Sequence, residues 1–276
     1  MNKKEFRVKQ EIKLSKAIIN ELPFFDYAKA RALIKAKDAK INGARVKDDI
    51  VLTAGDVVTV FYEQKQMEKH YNLVFIDDNV IAVDKFDNIE TINSKGDSLY
   101  DELKAEYGEI YAIHRLDRRT SGLVIFARNR VAENELLTAF KNRLLDKKYR
   151  AIVKGQFNSS HAILKNYCVK DAKNSIVKVI DKPTPNAVEI ITEYKVIKTI
   201  GSNSLVEITL HTGRTHQIRA HMAYIGHQVI GDGKYGVADR KDRLKLASVS
   251  LKFDLPKDYK LNYLNNQPLK VKAWFE

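Results

Sequence analysis

The sequence predicts an α+β fold: a mixed, largely antiparallel β-sheet domain with flanking helices and loops, preceded by a small α/β module. Three observations lead there. Apolar extended runs outnumber helical ones and do not alternate regularly with them, which argues against a doubly wound parallel sheet. The stretch EQKQMEKHYN at 63–72 is polar and lacks a hydrophobic period, so it reads as a linker between a basic segment at 1–62 and the longer remainder at 73–276. No Walker-type loop is present, and the one G-x-G-x-x-G string, GDGKYG at 231–236, lies outside any βαβ pattern, so no nucleotide cofactor is expected.

The first segment reads as a compact unit. Leu14 to Leu22 has helical character, and Asp26 is a suitable N-cap for a second helix from Tyr27 to about Ala39. On that helix Ala30, Leu33 and Ile34 form an apolar face, while Arg31 and Lys35 lie one turn apart on another. In KINGARV, Asn42-Gly43 separates two short extended runs, and both residues tolerate the positive φ of a tight turn. VVTVFY after Gly55-Asp56 is a further strand signal.

In the second segment, LVFIDDNVIAVDK reads as two strands around Asp77-Asp78-Asn79. Ser98 can cap a helix through about Tyr107; YAIHRLD is extended and ends in a polar loop; GLVIFAR is a buried strand. Arg130 to Arg143 is an amphipathic helix, and KYRAIVKG, VEIITEYKVI and SLVEITLHT are extended. THQIRAHMAYIG reads as a helix, with Thr215 as cap and Gly226 as stop.

Bulk composition narrows the function classes. The 276 residues carry 48 Lys plus Arg against 35 Asp plus Glu, a net charge of +13. Such a field attracts polyanions, nucleic acid first and an anionic membrane surface second. No stretch approaches the roughly 20 apolar residues of a membrane span, and the basic N-terminus has no apolar run behind it, so neither a membrane protein nor a secretory signal is expected. Cys168 is the single cysteine, so no internal disulfide can form, and the expected location is the cytoplasm. Between Lys29 and Lys47 seven basic residues face one acidic residue, Asp38. Joined to a helix, a turn and a strand too small for catalysis, this charge points to nucleic-acid binding through Arg31, Lys35, Lys37, Lys40, Asn42 and Arg45.

Three places could carry chemistry. In His114-Arg115-Leu116-Asp117-Arg118-Arg119-Thr120-Ser121-Gly122, a carboxylate sits among four basic or potentially basic neighbours between apolar strands. Positive charge keeps a carboxylate ionised and able to act as base or nucleophile; the plainer alternative is a loop of local salt bridges. Tyr149 shares a strand face with Ala151 and Val153, where it either fills the core or stacks on a base. The segment HTGRTHQIRAH holds His211, His216 and His221, but His216 and His221 are five apart, no cysteine is near and no H-E-x-x-H pattern occurs, so no metal is expected. Arg219 lies between apolar Ile218 and Met222. It is either exposed or directed at a carboxylate or phosphate.

Together these segments resemble a known family. HRLDRRTSGLVIFAR, KKYRAIVKG and LHTGRTHQIRAHMAYIGHQVIGDGKYG are similar to the RluA-type RNA pseudouridine synthases, in order and spacing, from about Leu73 to the C-terminus. The first segment resembles the small RNA-binding module shared by a ribosomal small-subunit protein, some aminoacyl-tRNA synthetases and many RNA-modifying enzymes, through KLSKAI, YAKARALIKAKDAKINGARVKDD and AGDVVTV. The resemblance implies that Asp117 initiates glycosidic-bond cleavage, that Arg219 pairs with Asp117 and keeps it ionised, and that Tyr149 packs against the target base and assists proton removal. It further implies that Arg115 holds the place of the flipped nucleotide and that Ile218 lies under the uracil; His114 and Thr120 complete the expected substrate-binding set.

The implied function is isomerisation of uridine in structured RNA, rRNA ahead of tRNA, by a monomer without cofactor. The rival readings are a catalytically inactive RNA-binding or ribosome assembly factor and another RNA-modifying enzyme such as a methyltransferase. The intact Asp117, Tyr149 and Arg219 argue against the first, and the lack of a glycine-rich loop set in a βαβ pattern against the second. The chain departs from the family pattern at Phe86, where Pro is usual after the lysine, at Gln228, also a usual Pro, and at Ala247, where His is common.

Overall fold

The structure, a computed structural model, describes residues 2–22, 25, 27–62, 69–94, 96–171, 176–236 and 242–276. It divides into two compact units, Met1–Lys69 with Asp101–Gly108, and His70–Tyr100 with Glu109–Glu276.

The first unit contains β1 (Asn2–Arg7), β2 (Ile12–Lys13), α1 (Leu14–Glu21), α2 (Tyr27–Lys35), β3 (Ala39–Ile41), β4 (Ala44–Val46), β5 (Val51–Leu52) and β6 (Val57–Tyr62). An antiparallel sheet in the order β1-β6-β3-β4 packs Val58 and Val60 against Leu14 and Ile18 of α1 and Leu33 and Ile34 of α2. The helix expected to reach Ala39 ends at Lys35. Lys37 turns to φ 63°, its N–H bonds the Ile34 carbonyl at 2.9 Å, and the Asp38 N–H bonds the Leu33 carbonyl at 3.1 Å. This is a Schellman stop with lysine where glycine is usual, and it frees Ala39 to start β3. The Asp26 cap lies outside the described residues. Asn42 (φ 48°) and Gly43 (φ 87°) form the two-residue hairpin turn, with Ile41 opposite Ala44.

The rest of the chain contains β7 (Tyr71–Ile76), β8 (Val80–Lys85), α3 (Leu99–Tyr107), β9 (Tyr111–Ala112), β10 (Ser121–Ala127), α4 (Arg130–Lys141), β11 (Leu145–Lys154), β12 (His161–Asp171), β13 (Ile176–Ile180), β14 (Val188–Ile200), β15 (Asn203–Leu210), α5 (Gln217–Tyr224), β16 (Leu246–Phe253) and β17 (Leu269–Lys270). One mixed sheet runs β13-β12-β14-β15-β11-β16-β10-β8-β7, with β17 on β16 and β9 on β10. Among the described residues only β10 and β16 pair in parallel, and the other pairings are antiparallel. The α+β expectation with a largely antiparallel sheet therefore stands. Of the expected linker, residues 63–68 lie outside the described residues, and Tyr71 and Asn72 already belong to β7.

Several boundaries differ from the sequence reading. YAIHRLD is extended only at Tyr111–Ala112; the segment onward to Thr120 is a loop held by side chains, as described below. The helix expected to Arg143 stops at Lys141, with Arg143 at φ 58° and Asn129 capping the start by accepting from the Ala132 N–H at 2.9 Å. Thr215 does not cap α5. The N-cap position belongs to His216, left-handed at φ 54° and without a side-chain cap. Gly226 does end that helix: at φ 85° its N–H bonds the Ala223 carbonyl and the His227 N–H bonds that of Met222.

The core that carries the site is β10, in which all seven residues are buried. Alternate residues Leu123, Ile125 and Ala127 pack on Ala132, Leu136 and Ala139 of α4. At its start Gly122 adopts φ 107°, and a Cβ there would stand 2.1 Å from the Ser248 carbonyl oxygen of β16. Only glycine lets the two parallel strands approach this closely.

Candidate active site

Asp117 stands in the loop that enters β10, and the loop is fixed from three directions. The Thr120 N–H bonds the Asp117 carbonyl at 3.0 Å, closing a turn. Buried Thr91 bonds Leu116 twice: its hydroxyl donates to the carbonyl at 3.0 Å and accepts from the N–H at 3.1 Å. Lys85, fully buried at the end of β8, donates to the carbonyls of Phe86, Ile89 and Arg118 at 2.8, 2.9 and 3.2 Å. Burial lowers the Lys85 ammonium to about 8, despite the nearby carboxylates of Asp87, Glu90, Asp117 and Asp84.

Among the described residues none of the basic sequence neighbours of Asp117 forms an ion pair with it. Arg115 turns to Glu90 at 3.6 Å, Arg118 donates to the Asn88 carbonyl at 3.0 Å, and Arg119 bonds the Asp242 carbonyl. His114 faces away: its Nε2 accepts from the Ile125 N–H at 3.1 Å, and its ring stacks on Phe140 at 4.7 Å. Burial takes its pKa down to about 3, so it is a neutral packing residue. Two residues a hundred positions onward approach Asp117 instead. Arg219 Nη1 is 3.5 Å and His216 Nε2 3.8 Å from Asp117 Oδ2. Both converge on one carboxylate oxygen and leave Oδ1 unengaged by either.

The expected contact of Arg219 with Asp117 is present at 3.5 Å, but Arg219 has a closer partner that the sequence reading did not name. Its Nε and Nη2 donate to Asp232 Oδ2 and Oδ1, each at 2.7 Å. Asp232 is fully buried and Arg219 is 4% exposed. Asp232 Oδ1 also accepts from the N–H groups of Lys234 (2.9 Å) and Tyr235 (3.3 Å). Burial by itself raises the Asp232 pKa, but the guanidinium and these N–H donors outweigh it and hold the carboxyl below its usual range. Asp117 is thus the second, longer contact of an arginine whose fork is filled by Asp232. Sequence reading missed Asp232. The available signal was the acidic residue in VIGDGKYG, downstream of an arginine that required a buried anion.

His216 belongs to a second chain of bonds. The Tyr235 hydroxyl accepts from the Val177 N–H at 2.7 Å and lies 3.0 Å from His216 Nδ1. With Tyr235 donating to Nδ1, the proton of the neutral imidazole sits on Nε2, toward Asp117. Burial lowers the His216 pKa against the pull of Asp117, which favours that neutral form. The left-handed turn of His216 is secured by Gln217, whose Oε1 accepts from the Arg214 N–H (3.1 Å) and the Thr212 hydroxyl (2.9 Å) and whose Nε2 donates to Ile191 and Thr192 of β14.

The other histidines diverge. His211 pairs with Glu193 at 2.9 Å, and buried His221 bonds Thr192 and Asn166. Among the described residues no group of three His, Cys, Asp or Glu is placed to hold a metal ion.

Tyr149 points from β11 into the same pocket as Asp117. Burial, followed by the Asp117 charge, pushes its phenol up to about 12, so at neutral pH it is a hydroxyl rather than a phenolate. The pocket is further lined by Arg115, Thr120, Ile218 and Arg219, so it gathers every expected catalytic or substrate residue except His114. In the first unit Arg31, Lys35, Lys37, Asn42 and Arg45 are exposed, and Lys40 is half-buried with its ammonium 5.4 Å from the Phe61 ring centre. Lys40 and Arg45 face each other across the β3–β4 hairpin. Asn42 is engaged in the turn itself, donating to Asp56 at 2.8 Å and accepting from the Val57 N–H at 2.9 Å.

Residues 67–224, more than half the chain, match the RNA pseudouridylate synthase family. The chain is 30% identical to the ribosomal large subunit pseudouridine synthase C of Vibrio vulnificus, over 87% of this chain and 82% of that one. It is 31% identical to an uncharacterized RNA pseudouridine synthase of Mycoplasma genitalium, over 94% and 90% respectively. The dual-specificity RNA pseudouridine synthase RluA of Vibrio vulnificus is 31% identical over 70% of this chain and 81% of its own. A solved structure of human RNA pseudouridylate synthase domain containing 1 shares the fold, with a TM-score of 0.61 at 22% identity over 74% of this chain and 90% of that one.

Proposed function

The chain belongs to the RNA pseudouridylate synthase family, and we propose that it converts specific uridines of structured rRNA to pseudouridine with Asp117 as the reacting group. The reaction breaks the bond from ribose C1′ to uracil N1 and forms one from C1′ to C5. C5 loses a proton and N1 gains one, so neither redox partner nor energy source is required. The observation that carries the assignment of Asp117 is the one-sided clamp: Arg219 and His216 both approach Oδ2, which leaves Oδ1 for the sugar or base.

On this reading Oδ1 either adds to the nucleotide or removes a sugar proton. Arg219 and neutral His216 hold the carboxylate in register. Tyr149 stacks on the flipped base, and its phenol, kept protonated by burial, acts as a donor rather than in the proton removal that the resemblance implied. Ile218 lies under the uracil, and exposed Arg115 occupies the space that the flipped nucleotide vacates. Flipping costs a few kcal/mol, which contacts of basic side chains with phosphate offset. Residues 1–62 act as a separable RNA-binding module through Arg31, Lys35, Lys37, Lys40 and Arg45, with Asn42 shaping the turn that presents them. Action as a monomer in the cytoplasm belongs to the same reading, and the single cysteine fits that location. Mapping pseudouridines in rRNA and tRNA from cells with and without the gene tests this. Discrete rRNA sites disappear in its absence; unchanged rRNA would contradict the proposed substrate.

A further inference from the structure

A second pocket opens on the other face of the sheet. Tyr149 pairs with Ser248, whereas Ala247 pairs with Arg150 and therefore faces away from Tyr149. The floor of this pocket crosses four adjacent strands through Asn72, Asp84, Ser121 and Ala247. Asn72 stands opposite Asp84, and Ser121 opposite Ala247. Ser121 is four residues beyond Asp117, so the pocket lies at the end of β10 where the catalytic loop enters.

Its walls are aromatic and basic. Arg243 grips Asp87 with two bonds of 2.9 and 3.0 Å, and its guanidinium lies 3.8 Å from the Trp274 ring centre. This pairing fixes a flat platform before any ligand arrives. Trp274 remains 41% exposed and Phe86 38% exposed, large apolar surfaces turned to solvent beside a polar floor. Lys272 on the rim is exposed and has no ion-pair partner among the described residues.

Asp84 is the carboxylate acceptor on the floor of the pocket. It is half-buried, and among the described residues it makes no hydrogen bond or ion pair. Burial raises its pKa, with Lys85 acting in the opposite sense. Its oxygens are open to solvent from the pocket, so a ligand with suitable donors can pair with them. Guanine offers adjacent N1–H and N2–H donors to one carboxylate, and its O6 can accept from the Asn72 amide beside it. Adenine presents an acceptor at N1, cytosine an acceptor at N3, and uracil flanks its one N–H with two carbonyls, so each sets oxygen or nitrogen lone pairs against Asp84. Phe86 and Ala247, two of the departures from the family pattern, both line this pocket.

We propose that this pocket binds an unpaired guanosine of the substrate RNA, with Asp84 and Asn72 reading its base edge, the Trp274–Arg243 platform and Phe86 providing stacking surface, and Lys272 meeting its phosphate. The proposal rests on RNA being the substrate. Trp274 is the only tryptophan of the chain, so tryptophan emission, excited at a wavelength that tyrosine does not absorb, reports on this pocket. The full-length protein is titrated with GMP, AMP, CMP and UMP. GMP quenches Trp274 saturably and binds at least about tenfold more tightly than the others, a difference of roughly 1.4 kcal/mol. Asp84→Asn removes that preference, and it weakens binding of an rRNA fragment about as much as replacing the recognised guanosine by inosine, which lacks the N2 donor. Turnover at saturating RNA stays unchanged in Asp84→Asn. Equal responses to all four nucleotides overturn the proposal without any variant. GMP selectivity combined with RNA binding insensitive to Asp84→Asn makes the pocket a site for free nucleotide and also overturns it. Wild-type protein that forms no pseudouridine yet shows both the GMP and the inosine effects leaves the pocket standing and removes the catalytic reading instead.

Discussion

Asp232→Ala isolates the anchor beneath the catalytic loop. Asp232 is fully buried, accepts both arms of the Arg219 fork at 2.7 Å and also accepts two backbone N–H groups. The substitution leaves a guanidinium that is 4% exposed and whose one remaining carboxylate partner among the described residues is Asp117 at 3.5 Å. Removing one member of such a pair costs about 3–5 kcal/mol. In a protein of this size each kcal/mol moves Tm by about 2–4 °C, so the drop is about 6–20 °C. Urea denaturation at pH 7 gives the free energy directly. Asp117→Ala, by contrast, removes a partly exposed carboxylate at the longer distance and costs about 1 kcal/mol or less.

The pair Arg219→Met with Asp232→Leu restores much of the stability lost in the single variants, because matched apolar groups need no compensation, but it stays inactive. The Asp232 carboxyl is depressed, so its contribution is present above its ordinary 3.8 and is lost as pH falls through the lower folded value. If Asp117→Ala destabilises as much as Asp232→Ala, or if Asp232→Ala costs under about 1 kcal/mol, then Asp232 is not the principal partner of Arg219 and the reasoning fails.

The buried lysine makes a prediction with the opposite sign in pH. Lys85 titrates at about 8 folded and near 10.5 unfolded, so between those values the unfolded chain binds more protons and stability rises with pH. Its contribution amounts to about 3 kcal/mol across that window, and Lys85→Met should flatten the rise when the two proteins are unfolded in urea from pH 7.5 to 10.5. For His216→Ala, displacement of Asp117 lowers kcat about 10- to 100-fold with RNA affinity unchanged, and Gln at this position, which can offer an N–H, retains more activity than Ala; equal kcat for Ala and wild type would remove His216 from the site. Arg31→Glu with Lys35→Glu weakens RNA binding without changing kcat, and it flattens the plot of log affinity against log salt by about 0.7–0.9 for each phosphate that the protein no longer neutralises; an unchanged slope would contradict a role for this helix face in RNA binding.

What could be read from the sequence was local. The Asn42-Gly43 hairpin, the all-buried GLVIFA strand and the Gly226 helix stop are set by φ preferences and short apolar runs, and each formed where expected. Asp117, Tyr149, Arg219, Ile218, Arg115 and Thr120 meet in one pocket, as their motifs suggested. What failed was the inference from adjacency. The charges of HRLDRR, contiguous in sequence, turn to Glu90, Asn88, Asp242 and the Ile125 N–H, because successive loop side chains point in different directions. The groups that do approach Asp117 come from α5 and the turn before it, and the anion that fixes Arg219 comes from a further turn. Such pairings follow from sheet order and from the bonds of Gln217 to β14, neither of which leaves a periodic trace in the chain. His216 illustrates the same limit. Its left-handed backbone and its tautomer depend on Gln217 and Tyr235, so the histidine read only for metal spacing carries instead a directed N–H.

The central claim is that Asp117 performs the chemistry without being needed to hold RNA. Asp117→Asn keeps size and packing while removing the charge and the reactive oxygen. It also removes a negative charge from a surface that receives a polyanion. The decisive measurement is single-turnover pseudouridine formation in a cognate rRNA fragment, with RNA affinity determined on the same protein at the same salt. No pseudouridine is expected under conditions where wild type goes to completion, with affinity equal or slightly higher. Activity at even a tenth of wild type would contradict the assignment of Asp117, and loss of binding together with activity would return the HRLDRR loop to a purely structural role.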